Sequence, residues 1–148
     1  LTHLVTRGMI DRRERAEAIR MADIVGYDVY PSVGWEFFGR KLYIRPWRDA
    51  DYNGLVTWRE RAALAGKPAY IIEAQAEPWE PGSAVHLAKR EYPSFYPAAM
   101  EAFVDRLVSF GYRDICLWGV EHWLWHRRAG HPEWWERAVG IFSRYHGA

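Results

Sequence analysis

The alternation of continuous apolar runs with segments of helical period constrains this chain more than any other feature. "DIVGYDVYP" (residues 23–31), "PAYIIEAQ" (68–75) and "DICLWGV" (114–120) lack the in-and-out alternation of a half-exposed strand, so each reads as a strand buried on both faces. "LTHLVT" at the start is a further short strand. Between them, "DRRERAEAIRMA" has helix-forming composition with Asp11 as its N-cap, and the second half of "DYNGLVTWRERAALAG" is helical and ends at Gly66. Met100, Phe103, Val104, Leu107 and Val108 fall at helical spacing before Gly111, and after Pro132 a last helix carries Trp135, Ala138, Val139 and Phe142. Four strand and helix units of this kind predict an α/β protein, a parallel sheet covered by helices.

The connections are unequal. Residues 31–50 form a long loop with Gly34, Gly39 and Pro46, whereas only a few residues separate Gly111 from Ile115. Long loops after strands and short ones after helices are the asymmetry of an α/β barrel, whose site is built at the C-terminal strand ends. Residues 1–148 read as a single domain, without linker, repeat or low-complexity segment. The 49% hydrophobic and 26% charged residues exclude a disordered chain, and a net charge of +1 gives neither nucleic acid nor an anionic membrane a special claim as partner. No apolar stretch approaches the roughly 20 residues of a membrane span. The single cysteine, Cys116, has no internal disulfide partner and reads as a small core residue, which leaves localisation open. Nine Trp and nine Tyr are many for 148 residues, and clusters such as "PSVGWEFFG" and "EHWLWH" between periodic segments suggest a binding face.

Within "KPAYIIEAQAEPW" the apolar run ends abruptly in Glu73, with Glu77 following just before Pro78 and Trp79. A buried strand has no structural need for a charge at its exit. "ADIVGYDVYP", "KPAYIIEAQAEPW" and "DICLWGVEHWLW" resemble, in this order, strands six, seven and eight of clan A retaining glycoside hydrolases, the cellulase-like and β-galactosidase-like TIM barrels, with "LTHLVT" as the remnant of strand five. The resemblance implies the C-terminal half of a (β/α)8 barrel, in which Glu73 is the catalytic nucleophile, Tyr30 closes strand six and orients it, and Trp118 forms a floor under the sugar. Gln75, Trp79, Glu121 and Trp35 complete the expected substrate contacts, and Glu77 is a rival carboxylate placed beyond the strand end.

A retaining glycosidase uses two carboxyl groups about 5 to 5.5 Å apart, one attacking the anomeric carbon and one serving as acid and then base. In the clan the second stands in an "NE" pair at strand four; no such pair occurs in this sequence, so the acid/base is expected upstream, in the missing N-terminal half of the barrel. The chain alone is then expected to be inactive, and the substrate of the whole to be a β-linked oligo- or polysaccharide handled without a cofactor. Two alternatives remain open: a non-catalytic carbohydrate-binding barrel, and an unrelated TIM-barrel enzyme. His122 and His126 stand four apart with His131 nearby, a spacing that on a helix gathers imidazoles on one side, but "HWLWH" has Trp123 where a metalloprotease motif needs Glu. They read as solvated loop histidines, and no metal is expected.

Overall fold

In the computed structural model the described residues are 2–5, 12–44, 49–81 and 92–146. They form β1 (Thr2–Val5), α1 (Arg12–Met21), β2 (Val25–Val29), β3 (Val33–Phe37), β4 (Arg40–Ile44), α2 (Asp49–Leu64), β5 (Ala69–Gln75), α3 (Pro97–Ser109), β6 (Ile115–Trp118), α4 (Val120–Arg128) and α5 (Glu133–His146). Asp11, the expected cap of α1, lies outside the described residues. The main sheet has the order β1-β2-β5-β6, with β1 parallel to β2 and β2 parallel to β5. The Ile71 N–H on β5 donates to the Asp114 carbonyl at 2.9 Å, and the Ala76 N–H, just past its end, to the Trp118 carbonyl at 3.0 Å. Partners that ascend together in this way make β6 parallel as well. The chain is thus a mixed α/β protein whose parallel strands follow one another across the sheet in sequence order.

Packing divides the chain into two compact units. The first comprises Leu1–Tyr30, Trp47–Ala74 and Leu107–Leu117. Its core is the face of β2 and β5 that carries Val25, Tyr27, Val29, Ile71 and Ala74, all at most 1% exposed, together with Leu55 and Ala62 of α2. The Tyr27 ring meets Tyr112 edge-on, with centroids 6.3 Å apart, and the Tyr112 hydroxyl donates to the Leu55 carbonyl at 2.9 Å. Helix α2 begins at Asp49, well before the half expected to be helical, because Tyr52 and Leu55 already belong to this buried face. Burial on both faces holds for most of β2 but not for β6, where Ile115 and Leu117 are half-buried while Cys116 and Trp118 are exposed. Cys116 is therefore not a core residue: the two-residue pleat puts it on the same side as Trp118.

The second unit comprises Pro31–Pro46, Gln75–Arg106 and Trp118–Ala148. It contains two elements that interrupt the expected strand and helix units. The first is an antiparallel hairpin, β3 with β4, in the stretch expected to be loop; Trp35 pairs with Leu42 and Phe37 with Arg40. Its turn needs two residues of positive φ, supplied by Phe38 (48°) and Gly39 (70°), the requirement of the tight turns that match strand twist. An isolated hairpin is marginal in water. This one is tied at its base, where the Gly34 N–H donates to the Trp79 carbonyl at 2.6 Å and the Tyr43 hydroxyl to Glu80 Oε2 at 2.8 Å. The other carboxylate oxygen of Glu80 accepts the Ser94 N–H at 2.9 Å.

The second interrupting element is α4. The buried stripe of α5 is Trp134, Ala138 and Ile141, not the Trp135, Val139 and Phe142 of the sequence reading; Val139 and Phe142 are exposed. Both sets have helical spacing, and the packing selects the first. Phe95 stacks on Trp134 with centroids 6.4 Å apart and meets Phe103 of α3 edge-on at 6.3 Å. Arg144 of α5 reaches back to Asp105 of α3 at 2.9 Å and also pairs with Glu101.

Candidate functional site

Strand β5 does not keep a period of two. Its register against β2 runs Tyr27 with Ile71 and then Asp28 with Glu73, so Ile72 is an extra residue, a bulge. Aligned residues of parallel neighbours point to the same side of a sheet. Ile71 therefore goes with Tyr27 into the core, while Glu73 goes with Asp28, on the opposite side, which is also the side of Tyr30, two residues further on. Counting by twos from the sequence would have put Glu73 with Ile71; the bulge corrects that. Gly26 makes room for it, since a Cβ there would meet Ile72 Cδ1 at 2.7 Å and Cγ2 at 2.9 Å. The outcome is a hydrogen bond from the Tyr30 hydroxyl to Glu73 Oε2 at 2.8 Å, between two half-buried side chains: Tyr30 one residue past β2, and Glu73 still within β5, two residues before its end rather than at it.

In the second unit the chain leaves β5 through Gln75, Ala76 and Glu77, and this turn is held closely. Gln75 is fully buried; its Oε1 accepts the Ser32 N–H at 3.0 Å, and its Nε2 donates to the Ser32 carbonyl at 2.7 Å and the Glu77 carbonyl at 3.2 Å. The amide expected to contact substrate is thus engaged with backbone, and Gln75 is a positioning residue. The Ala76 carbonyl accepts the Trp123 indole N–H at 2.6 Å. Gly119 permits this approach: a side chain at its φ of 149° would meet the Ala76 carbonyl oxygen at 2.9 Å.

Glu77 sits on that fixed turn, half-buried. The Trp118 and Trp79 indoles hydrogen-bond to its carboxylate, yet burial, and then the charge of Glu121, raise its pKa above the ordinary value. Four residues singled out in the sequence, Glu77, Trp79, Trp118 and Glu121, thus interact within one unit. Trp79 and Trp118 stay 40% and 48% exposed, leaving indole surface for a ligand. Glu121 is exposed in the first turn of α4, and Trp35 is exposed on β3.

His122 and His126 are not solvated loop residues, whereas His131 does lie in the loop between α4 and α5, half-buried. His122 and His126 lie on α4, only 5% and 2% exposed, with ring centroids 4.3 Å apart. The His126 Nε2 shares a hydrogen bond with the Tyr92 hydroxyl at 2.9 Å. Both ring nitrogens of His122 are buried without a hydrogen-bond partner among the described residues. Desolvation, reinforced by the neighbouring His126, pushes His122 down to about 3. His126 is also lowered, by burial first and then by His131. The helical spacing did gather the imidazoles, but among the described residues no group of three or more His, Cys, Asp or Glu side chains is placed to hold a metal ion. Also among the described residues, no helix is long and apolar enough to cross a membrane.

No family model matches this chain, and neither a curated protein nor a solved structure does.

Proposed function

We propose that the chain is the C-terminal half of a (β/α)8 barrel from a retaining glycoside hydrolase that cleaves β-linked oligo- or polysaccharides. The observation that carries this reading is the hydrogen bond from the Tyr30 hydroxyl to Glu73 at 2.8 Å. It joins the residues that the resemblance pairs as orienting group and nucleophile, near the strand ends where barrel enzymes build their sites. A carboxylate turned away from the core by a bulge and held by a phenol is an arrangement that packing alone does not call for.

In this mechanism Tyr30 holds Oε2 of Glu73, and Oε1 attacks the anomeric carbon. The bond from that carbon to the leaving oxygen breaks as a glycosyl ester forms. The leaving oxygen takes its proton from a second carboxyl group, contributed by the N-terminal half of the barrel. That group then removes a proton from water, and water releases the sugar with its configuration retained.

Mass spectrometry of the full-length parent treated with a 2-fluoro β-glycoside bearing a good leaving group tests the assignment. The expected adduct lies on Glu73. An adduct on Glu77, or a product of inverted configuration, refutes it. Binding of the same sugars with neither adduct nor turnover selects the non-catalytic carbohydrate-binding alternative.

A further inference from the structure

The second unit contains a cavity of about 690 Å³ that no part of the catalytic proposal uses. This lies within the range of about 300 to 1,000 Å³ common for small-molecule pockets. Tyr92, Tyr96 and Trp134 supply aromatic surface, while His126, His131 and Glu133 supply polar groups. Tyr92, Trp134 and His126 are almost fully buried and form fixed walls, whereas Tyr96 is 56% exposed at the rim.

The charges around this cavity restrict what it can hold. Pro97 and Glu133, the first residues of α3 and α5, both line it, so the positive ends of two helix dipoles lie beside it and disfavour a cation. The Glu133 carboxylate disfavours an anion. His126 brings no charge at neutral pH, since burial lowers its pKa. A neutral ligand remains, with C–H faces for the aromatic rings and hydroxyls for His131 and the Glu133 carboxylate, the His126 Nε2 being already paired with the Tyr92 hydroxyl. We propose that this cavity is a binding site for a neutral pyranose sugar, of the size of a mono- or disaccharide, that operates without Glu73.

Side-chain proton–nitrogen NMR of the histidines at pH 7.5, with cellobiose and lactose as probes, reads the site directly. At least one disaccharide should shift the His126 and His131 signals saturably. Tyr96→Ala and Glu133→Gln, both at exposed positions, should each weaken that binding at least threefold, and Glu73→Gln should leave it unchanged. The proposal is overturned by no saturable shift with either sugar, by smaller losses in the two variants, by loss of binding in Glu73→Gln, or by stronger binding of inorganic phosphate or tetramethylammonium. A failed covalent trap at Glu73 with intact sugar shifts here would remove the catalytic reading and leave this site standing.

Discussion

Acid should loosen the second unit through His122. The ring is 5% exposed, neither nitrogen has a hydrogen-bond partner among the described residues, and its neighbours are Tyr92, Trp125, His126 and Trp134. Its folded pKa of about 3 lies below the ordinary 6.5, so the unfolded chain takes up the proton first. Stability from this group is complete above the unfolded value and is lost as pH falls from there toward the folded one. Between pH 8 and pH 5 the loss is about 2 kcal/mol, from 1.5 units at about 1.36 kcal/mol each. That corresponds to roughly 1 M in a urea midpoint. His126 shifts in the same direction and adds to it, whereas the raised pKa of Glu77 acts oppositely.

The His122→Phe variant separates these contributions. It replaces an unpartnered imidazole by an apolar ring among aromatic neighbours, and should stabilise at pH 8 by about 1 to 3 kcal/mol, the cost of an unsatisfied buried polar group. Urea unfolding followed by tryptophan fluorescence at pH 8 and pH 5, for the wild type and the variant, is the assay. The variant should lack the 2 kcal/mol component, so its midpoint should fall by roughly 1 M less. Parallel decline of both midpoints would refute the argument.

The isolated 148-residue chain should not hydrolyse an aryl β-glucoside or β-galactoside appreciably, because general acid catalysis is worth about 10² to 10⁴-fold and the sequence has no "NE" pair; robust turnover by the pure chain would sink the half-barrel proposal. Gln75→Leu should cost about 3 kcal/mol in urea unfolding, since it removes the bonds to Ser32 and Glu77 and leaves buried backbone groups unmet; a loss under about 1 kcal/mol would show that the turn holds itself. Gly119→Ala should destabilise by about 2 kcal/mol or more, through positive φ and a clash with the Ala76 carbonyl that accepts the Trp123 indole; an unchanged melting temperature would contradict that geometry.

The parallel strands were legible because β2 and β5 each carry an apolar run, bounded by Pro31 beyond β2 and by Glu73, two residues before the end of β5. The hairpin was not, although its signal is present: Val33, Trp35 and Phe37 alternate with Gly34 and Glu36, ahead of a Phe-Gly turn. Two glycines and a following Pro46 outweighed that alternation. Helix α4 was hidden for a different reason. His122, Trp123 and His126 form its buried side, and imidazoles and indoles carry weak hydropathy, so the stripe does not stand out. In α5 two apolar stripes have helical spacing, and only packing against Phe95 distinguishes Trp134 from its neighbour. Of the site, the contact between Tyr30 and Glu73 was legible by resemblance; the engagement of Gln75 with Ser32 was not, because nothing in an amide's identity says which backbone groups it will meet.

The bulge at Ile72 makes the direction of Glu73 a question of odd or even count. A regular register, with Ile72 opposite Asp28, would align Glu73 with Val29, whose side chain is fully buried, and would swing the carboxylate from the Tyr30 side into the hydrocarbon core. No polar residue need change for the pair to be abolished. Loss of the bulge is therefore more damaging to this arrangement than most substitutions within the sheet, and filling the hollow at Gly26, where Ile72 is accommodated, works toward that loss from the neighbouring strand. Chains aligned to this one by residue type alone can preserve every side chain of the pair and still point the acid the wrong way.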